Sequence, residues 1–534
     1  MRSDIYCSDI HDDDIHGDIH DYIYHDVLVV GAGPAGLTAA ITLARHGVDV
    51  LVVERHPGTS PFPKATGVST RTMELLRTWG LDRRVRAGAM RVRPFLAVSD
   101  TLSGPEHACV PIGYPTDEQA LAVSPVTSCY CPQDHLEPVL AEHLAERGGR
   151  LRFDTELTAL ITDNTGVTAQ LRERRSGRRF RVGARYVIGA DGPRSTVRAA
   201  LGIGVDDLGT IGEFVSVTFR ADLTRRLPRI PCALNAVQAP GAAGLFVPTS
   251  TDDRWIYARQ WHPGDGEMLS DWTPERCTEL VRTGTGLPDL DLQILAVMPF
   301  VMGGHVATAF RSGSAFLVGD AAHRTTPMGG IGMNTAIHGA HNLGWKLAWV
   351  LRGWAGEALL DSYEAERRPV GTDNVLRSLN PEPDATVDGL SIDIGVPYTS
   401  AVLDAGPGSG AGTGERAPHA WVRYDGKRIS TIDLFDGRLT VLTGGRADQW
   451  RRAAADLADG GFPITVLSAG RDLHYDEGEF AGRYLLGDTG VVLVRPDGYV
   501  AWRRLTPTAP TALRSAVDRA LSRVAYSPVL DRVG

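Results

Sequence analysis

The chain has 534 residues, of which 43% are hydrophobic and 22% are charged, and its formal net charge at pH 7 is −9. This length predicts two to four domains with large cores, and the composition is typical of a soluble globular protein. The negative charge argues against nucleic acid or an acidic membrane as the main partner, and no apolar run reaches the length of a membrane span.

The cysteines form neither a zinc-binding pattern nor a disulfide framework. None belong to a Cys-x-x-Cys motif, and the one close pair is interpreted as two thiols near a strand end. The absence of such patterns predicts a reducing, cytoplasmic location. The six are Cys7, Cys109, Cys129, Cys131, Cys232 and Cys277.

Residues 1–25 are predicted to form a disordered leader rich in Asp and His. The triplet Asp-Ile-His occurs three times, at 9–11, 14–16 and 18–20. The segment has no basic start and no apolar stretch, so it is not a signal peptide. Closely spaced His and Asp can bind a divalent metal, but composition alone is weak support, and we predict no metal site.

The segment 27–55, VLVVGAGPAGLTAAITLARHGVDVLVVER, has the pattern of a dinucleotide-binding unit. It predicts a buried strand, a glycine turn, a helix, a second buried strand and a terminal acid. Gly31 permits a tight turn, Gly33 leaves room for a pyrophosphate at the helix N-terminus, and Gly36 allows close helix packing. The predicted contacts are Gly31, Gly33, Pro34, Ala35, Gly36, the ribose acceptor Glu54, and Arg55.

The glycine motif leaves the nucleotide open, because FAD and NAD(P) both bind in this way. A turn with only a packing role is the alternative. In the loop that follows, Lys64 and Arg71 are predicted near the pyrophosphate, although either is equally consistent with a solvated surface charge. Ser69 or Thr70 is expected to cap the next helix.

The middle of the chain is predicted to contribute strands to a layer other than that of the dinucleotide-binding unit. Residues 95–126 are rich in Pro and Gly and lack a helical period, which favours strands. A buried strand at Tyr186–Gly189 runs into Asp191-Gly192. The other elements expected here are a helix at 133–147, a β-meander at 151–182, and a helix that carries Arg194 and Arg198.

One predicted strand carries large side chains on a single face. In RWIYARQW, at 254–261, the period of two places Trp255, Tyr257, Arg259 and Trp261 together. Two interpretations stand equal: an amphipathic sheet packed on its neighbour, or the wall of an aromatic substrate pocket.

A second buried strand, Ala315–Val318, ends in Gly319-Asp320 and runs into AAHRTTPMGGIGMN at 321–334. A long helix to about Arg352 is expected next. The stretch AGPGSGAGTG at 405–414 predicts a flexible linker. The elements expected beyond it are strands at 439–442, 464–467, 490–495 and 499–503, and helices at 447–457 and 511–524.

Three of these motifs in this order resemble the class A flavoprotein monooxygenases, the family of para-hydroxybenzoate hydroxylase. They are GAGPAG with Glu54, Gly189-Ala190-Asp191-Gly192, and Gly319-Asp320-Ala321-Ala322-His323 with Pro327 and Gly330–Asn334. Segments near the C-terminus, such as VRPDGYVAW at 494–502, are similar to the aromatic polyketide hydroxylase branch.

The resemblance implies an α/β fold with a Rossmann-type FAD-binding domain, an inserted β-sheet substrate domain and a C-terminal thioredoxin-like domain. Without cysteines that last domain has no thiol–disulfide chemistry, so its role would be structural or dimer-related. The implied boundaries are 26–94, 131–204 and 300–400 for FAD, 95–130 and 205–299 for substrate, a linker at 401–415, and 416–534 for the last domain.

The resemblance also assigns roles to residues. Gln133 would reach the pyrophosphate or ribityl chain, Asp320 a ribityl hydroxyl, and Asp191 both FAD and NAD(P)H. Amides of Gly332, Met333 and Asn334 would face the flavin pyrimidine edge, where the helix dipole stabilises reduced flavin. Pro327 and Gly332 would form the flavin-ring environment, with no general base assigned. Lys64 departs from the family's Arg.

The implied reaction is hydroxylation of a polycyclic aromatic phenol through a flavin C4a-hydroperoxide, with FAD as the bound cofactor and NAD(P)H and O2 consumed. Three alternatives remain: Baeyer–Villiger oxygenation or epoxidation, a flavin reductase or dehydrogenase without oxygen insertion, and a non-catalytic flavoprotein. The expected partner is a small aromatic molecule, and the expected state is a monomer or homodimer.

Overall fold

A computed structural model describes residues 22–163, 166–380, 389–404, 412–445, 448–458, 461–475, 479–506 and 508–523. Strands and helices are numbered here in chain order. The Asp-Ile-His triplets and most of the glycine-rich linker lie outside the described residues. No helix among the described residues is both long and apolar enough to cross a membrane.

The first sheet has eight strands in the order β14-β15-β8-β1-β2-β5, with β7 pairing β8 and β6 pairing β7. Pairs from β15 to β5 along this path are parallel. Their carboxyl ends therefore share one edge, which is where α/β folds bind ligands. The strands are β1 Tyr22–Val30, β2 Val50–Val53, β5 Arg150–Arg152, β6 Thr155–Asp163, β7 Gly166–Glu173, β8 Arg179–Gly189, β14 Arg311–Ser312 and β15 Ala315–Leu317.

The first strand begins earlier than the sequence predicts. Tyr22 to His25 pair with β8, and His25 is buried with Nδ1 at 2.9 Å from Asp49 Oδ2. The end of the predicted leader, at residue 25, is therefore wrong. The sequence contains a signal for this earlier start, because Tyr22, Ile23 and Tyr24 are residue types that favour strands.

Helices cover the first sheet because its strands are apolar on both faces. Val27–Val30 and Val50–Val53 are buried, and α1 packs between the sheet, α5 and α9. Ser69 caps α2 by accepting from the Thr72 amide, as predicted. The helices are α1 Pro34–Arg45, α2 Thr70–Thr78, α3 Asp82–Arg86, α5 Gln133–Glu146, α6 Thr196–Ala200, α9 Gly332–Leu351, α10 Asp361–Leu379 and α11 Gly389–Asp393.

The second sheet also has eight strands, in the order β16-β13-β9-β12-β11-β10-β3-β4, and α8 covers one of its faces. The strands are β3 Arg93–Ser99, β4 Glu106–Pro111, β9 Val205–Arg220, β10 Cys232–Val237, β11 Gly244–Pro248, β12 Arg254–Trp261, β13 Gln293–Ala307 and β16 His323–Arg324. The helices are α4 Asp117–Val123, α7 Leu223–Arg226 and α8 Pro274–Thr285.

Two details differ from the expectation for this sheet. The stretch 95–126 contains α4, which begins with a capping box between Thr116 and Gln119. The sheet also extends past residue 299, through the end of β13 and through β16. The division of the chain into domains at the stated boundaries stays a prediction.

The C-terminal part has the thioredoxin-like arrangement expected. Its main sheet has the order β20-β19-β22-β23, in which β19 and β20 are parallel and the other pairs antiparallel. The hairpin of β17 and β18 was not anticipated. The elements are β17 Trp421–Tyr424, β18 Lys427–Ser430, β19 Leu439–Thr443, β20 Ile464–Ser468, β21 Leu473–His474, β22 Val491–Val494, β23 Val500–Arg504, α12 Asp448–Ala458, α13 Glu479–Tyr484 and α14 Thr511–Ala520.

A buried charge network joins this C-terminal part to α9 and α10. Arg495 donates to both carboxylate oxygens of Glu366, at 2.6 and 2.9 Å, and also pairs with Asp497. Lys346 Nζ lies 2.7 Å from Glu366 Oε2. The Glu366, Lys346 and Arg495 side chains are fully buried. The last domain therefore packs directly on the helix that the sequence assigns to the flavin ring.

Candidate active site

The glycine turn after β1 has the geometry of a phosphate-binding site. Gly31 has φ +105°, and a Cβ there would lie 2.3 Å from the Ala190 carbonyl oxygen. A Cβ on Gly36 would lie 2.0 Å from the Gly31 carbonyl oxygen, whereas one on Gly33 would meet nothing within 4 Å. Helix α1 begins here without a side-chain cap or an acidic residue in its first turn. Its free amides and the open space at Gly33 fit a pyrophosphate.

The carboxylate of Glu54 closes the end of β2 beside this turn. Its Oε2 accepts from the Ala32 amide and its Oε1 from the His56 amide, both at 2.9 Å. This position suits a ribose next to a pyrophosphate. Arg55 is exposed, with its Nε 3.3 Å from His56 Nε2, so it lies at the rim of the site.

Gln133 and Lys64 lie on the same side of the site as Glu54. Gln133 is buried at the start of α5, where its Nε2 donates to Glu137 Oε1 at 2.6 Å and its amide to the Ala65 carbonyl. Burial raises the pKa of Glu137, while Gln133, the Ser60 amide and Lys64 favour its ionised form. The exposed Lys64 thus places a positive charge on this side of the cleft.

Asp320 lies between the N-termini of two helices. It follows β15 in a short turn at Gly319–Ala321, and a Cβ on Gly319 would lie 2.9 Å from the Ala35 Cβ and 3.4 Å from the Ala336 Cβ. The side chain is exposed to solvent, but protein surrounds it as at the floor of a cleft. The surrounding protein raises the pKa of the carboxyl group, although the positive charges of Arg324 and Lys64 act to lower it.

The loop before α9 presents a second uncapped helix N-terminus. Gly329 and Gly330 have φ +76° and +63°, and α9 begins at Gly332 without a side-chain cap or an acid in its first turn. A Cβ on Gly332 would lie 2.3 Å from Thr325 Oγ1. Pro327 precedes this loop. A helix of 20 residues that ends in free amides stabilises negative charge at this point.

Asn334 serves this loop through its side chain. The carboxamide oxygen accepts from the Ser69 amide at 2.9 Å and from Thr72 Oγ1 at 2.8 Å. Its nitrogen donates to the carbonyls of Gly67 and Gly330. The neighbouring Met333 is half-buried against the core. The carboxamide is thus committed to the protein, which leaves the backbone amides of the first turn as the groups available to a ligand.

Two predicted cofactor residues have other tasks. The Asp191 carboxylate accepts from Ser195 Oγ and from the amides of Thr196 and Val197, so it holds the N-terminus of α6. Arg71 donates to Glu74 at 2.8 Å and to the Asp497 carbonyl at 2.6 Å, in the contact with the last domain. Both charged groups are thus engaged with the protein, and their contact with a cofactor stays a prediction.

The large face of β12 packs on α8. Trp255 and Tyr257 are buried in the cluster that contains Cys277 and Val281 of α8. Tyr257 Oη donates to the Ala242 carbonyl at 3.0 Å. Arg259 donates to the Gly241 carbonyl, and Trp261 Nε1 to the Glu267 carbonyl. The prediction that this face forms a pocket wall is wrong, because α8 occupies it.

The opposite face of the same sheet is apolar and half-buried. At one end, Arg254 Nη1 lies 2.7 Å from Asp134 Oδ2 in the first turn of α5, which ties this face to the first sheet's helices. At the other end, the rings of Phe214 and Phe300 stack at 5.6 Å. The alternation of side chains in the sequence predicts two faces for this strand, but it does not indicate which of them α8 covers. Its half-buried residues include Phe214, Leu245, Val247, Ile256, Ala258, Met298 and Phe300.

Comparisons with known proteins agree with this geometry. Residues 24–378 match the family model described as FAD binding domain. Residues 411–524 match the model described as aromatic-ring hydroxylase, C-terminal. The first match covers more than half of the chain, so the protein is an FAD-binding protein.

Whole-length relatives narrow the class. The chain is 38% identical to a putative polyketide hydroxylase of Streptomyces halstedii, over 93% of this chain and 97% of the relative. It is also 38% identical to tetracenomycin A2 monooxygenase-dioxygenase of Streptomyces glaucescens, over 94% and 98%. A crystal structure of aklavinone-11 hydroxylase with FAD and aklavinone superposes with a TM-score of 0.86 at 34% identity, over 93% and 99%.

The chain therefore belongs to the FAD-dependent aromatic-ring hydroxylases, within the polyketide hydroxylase group. It is a monooxygenase that uses FAD, with NAD(P)H and O2 as the co-substrates typical of this family. The two uncapped helix N-termini, the open space at Gly33 and the enclosed carboxylate of Asp320 fit that cofactor.

Proposed function

We propose that this monooxygenase hydroxylates a polycyclic aromatic phenol of the polyketide type. The observation that carries the proposal is the apolar, half-buried face of the second sheet, which is tied to the first sheet's helices through Arg254 and Asp134. A flat polycyclic molecule buries a large apolar area and suits such a wall. Relatives that act on tetracenomycin A2 and aklavinone support the same substrate class.

The chain's own residues divide the work along the cofactor. We assign the ADP half to Gly31, Gly33 and Gly36 with Glu54, and the ribityl chain to Asp320. The flavin ring is assigned to the amides that begin α9. There the helix dipole stabilises the negative charge that the pyrimidine edge carries after reduction. Bound FAD supplies hydride acceptance from NAD(P)H and activation of O2.

The apolar face has two tasks in this proposal. It positions the aromatic ring against the cofactor, and it excludes water from the reacting atoms. We assign no general base. Charged side chains on the β12 face that packs on α8, such as Arg259, are engaged with the protein. The acidity of the phenol itself is therefore the proposed source of electron density at the attacked carbon.

NAD(P)H is proposed to bind transiently. The chain has one strand–glycine–helix fingerprint followed by an acid, and FAD takes it, so the nicotinamide cofactor has no Rossmann unit of its own. A reducing cytoplasm is the proposed location, because Cys109, Cys129, Cys131, Cys232 and Cys277 are all free thiols. The state of assembly, monomer or homodimer, stays a prediction.

The test measures NADPH oxidation and product oxygen together. Purified protein with FAD is offered anthracyclinone, angucycline and simple phenol substrates under ¹⁸O2. We expect polycyclic phenols to stimulate oxidation most and the product to gain one labelled hydroxyl. A product that carries the label in a lactone or an epoxide would show that the reaction is Baeyer–Villiger oxygenation or epoxidation and not hydroxylation. Substrate-dependent NADPH consumption without label would identify a reductase, and failure to bind FAD would exclude every enzymatic reading.

A further inference from the structure

A phenol from the second sheet's insert reaches the loop before α9. Tyr114 lies between β4 and α4, and its hydroxyl donates to the Gly330 carbonyl oxygen at 2.6 Å. The same hydroxyl lies 3.4 Å from the Gly67 carbonyl oxygen. A Cβ on Gly330 would lie 3.0 Å from the Tyr114 hydroxyl oxygen. The close approach thus depends on glycine at 330, and Tyr114 touches two loops that border the cofactor cleft.

The Gly330 carbonyl is held from a second direction. Asn334 Nδ2 donates to it at 3.2 Å, and also to the Tyr114 hydroxyl oxygen at 3.2 Å. Asn334 is itself fixed by Ser69 and Thr72. Burial raises the pKa of Tyr114, so the hydroxyl stays protonated and continues to donate at any working pH.

Fixing this carbonyl also fixes the amide that follows it. In a trans peptide the C=O of Gly330 and the N–H of Ile331 point in opposite directions. Since Tyr114 and Asn334 draw the carbonyl to one side, the Ile331 amide points to the other. In the part of the chain that the structure describes, the amides of Ile331, Gly332 and Met333 donate to no protein acceptor.

The loop needs such an anchor because it has little stiffness of its own. Gly329 and Gly330 both adopt left-handed conformations, with φ +76° and +63°. Glycine is the residue with the greatest backbone freedom, so two in sequence leave the orientation of the peptide planes weakly determined. No side chain caps α9 from within the loop.

We propose that Tyr114 is a positioning residue for the flavin, which turns the Gly330–Ile331 peptide so that the Ile331 amide joins those of Gly332 and Met333 at the pyrimidine edge. The inference rests on the proposed place of the flavin ring at the start of α9. It gives the insert between β4 and α4 a direct effect on the cofactor's electronic state, through one hydroxyl.

The test compares Tyr114→Phe with Tyr130→Phe. Tyr130 is a matched control, because its ring centre lies 6.1 Å from that of Tyr114 and its buried hydroxyl has no hydrogen-bond partner among the described residues. Sulfite binding to the oxidised flavin reports how well the site stabilises negative charge at the pyrimidine edge. We expect Tyr114→Phe to weaken sulfite binding about 3- to 10-fold, as for the loss of one oriented hydrogen bond.

A second readout follows the same logic, and a third needs no flavin. A fivefold loss of stabilisation corresponds to a two-electron potential about 20 mV more negative. In the apoprotein, amide hydrogen exchange in peptides covering 328–336 is expected to accelerate in Tyr114→Phe and not in Tyr130→Phe. This measurement decides the matter even if the variant binds FAD too weakly for spectroscopy.

Two results would overturn the proposal. If Tyr114→Phe matches Tyr130→Phe in sulfite affinity, potential and exchange, Tyr114 does not position the loop. If the wild-type protein binds FAD yet FAD does not slow amide exchange in peptides covering 328–336, the flavin assignment at α9 fails, and this inference fails with it. If the wild-type protein behaves as expected and Tyr114→Phe does not differ from it, only the positioning role of Tyr114 is rejected.

Discussion

At the scale of single residues, the glycines of the first turn differ in what they allow. Gly36 has no room for a side chain, since its Cβ would meet the Gly31 carbonyl oxygen at 2.0 Å. Gly33 has ordinary extended angles, φ −74° and ψ −179°, and open space beside it. Gly36 is thus needed by the fold, whereas Gly33 is not, and we propose that its open space serves the ligand, although the motif makes the two glycines look equivalent.

Replacing each of these glycines by alanine is expected to separate stability from binding. Gly36→Ala should lower the stability of the apoprotein by about 1–3 kcal/mol, as for an overpacked site. Gly33→Ala should leave it within about 1 kcal/mol, and should weaken FAD binding at least tenfold by blocking the pyrophosphate. Thermal unfolding of the apoprotein and FAD titration measure the two effects. A Gly33→Ala protein with normal FAD affinity would contradict the assignment.

At the scale of elements, β12 illustrates how a strand serves two layers at once. Tyr257 and its neighbours on one face form a core with α8, while Ile256 and Ala258 are half-buried on the other face, which we propose as the substrate wall. Because strand side chains alternate, the face with the larger side chains is the one that suggested a pocket wall, although it is the face that packs on α8.

Substitutions on the two faces should therefore have opposite effects. Tyr257→Ala removes a buried ring and is expected to cost about 3–5 kcal/mol of stability without raising KM. Ala258→Phe adds bulk in the cleft and is expected to raise KM for a polycyclic substrate about tenfold or more, with little change in Tm. Unfolding curves and steady-state kinetics on both variants check this. If only Tyr257→Ala raised KM, the substrate pocket would have to lie on the face that packs on α8.

What the sequence predicts here depends on how local the cause is. Gly31, Gly36 and the Ser69 cap act within one turn, so their roles follow from the motif. The fold class followed from strand and helix periods and from the resemblance. The partners of Arg71 and Asp191 were hidden, because a charge beside a cleft looks the same whether it meets a ligand or the protein. Tyr114 carried no signal in sequence, since its partners are backbone carbonyls far along the chain.

At the scale of the whole molecule, the buried contact between α10 and the last domain holds the parts together. Glu366 is fully buried and accepts from Lys346, Arg495, Asn342 and Ser400. Burial opposes its ionisation, but the adjacent Arg495 and Lys346 prevail and hold its pKa below the usual 4.5. Burial lowers the pKa of Lys346 to about 8.

Glu366→Gln is expected to destabilise the protein by about 3–5 kcal/mol, because it removes the carboxylate partner of buried Lys346 and one of the two carboxylate partners of buried Arg495. The lowered carboxyl pKa gives a stabilising contribution that is complete above about pH 4.5 and lost as pH falls. The variant should lack this acid-dependent part. Glu142→Gln removes an exposed partner of Arg84 and is the control, expected to change stability by less than about 1 kcal/mol. Denaturant unfolding from pH 3 to pH 8, a range of about five units, compares them; equal losses would contradict a role for burial.

The contact between Glu366 and Arg495 also has a consequence for the order in which the protein is completed. The two residues are 129 positions apart, and ribosomes add about 5–20 residues each second. Glu366 is therefore made about 6–26 s before its guanidinium partner. Through that interval the Glu366 carboxylate lacks the arginine that, with Lys346, helps to neutralise it when buried. The packing of Glu366 against the last domain is therefore expected only after Arg495 has been made.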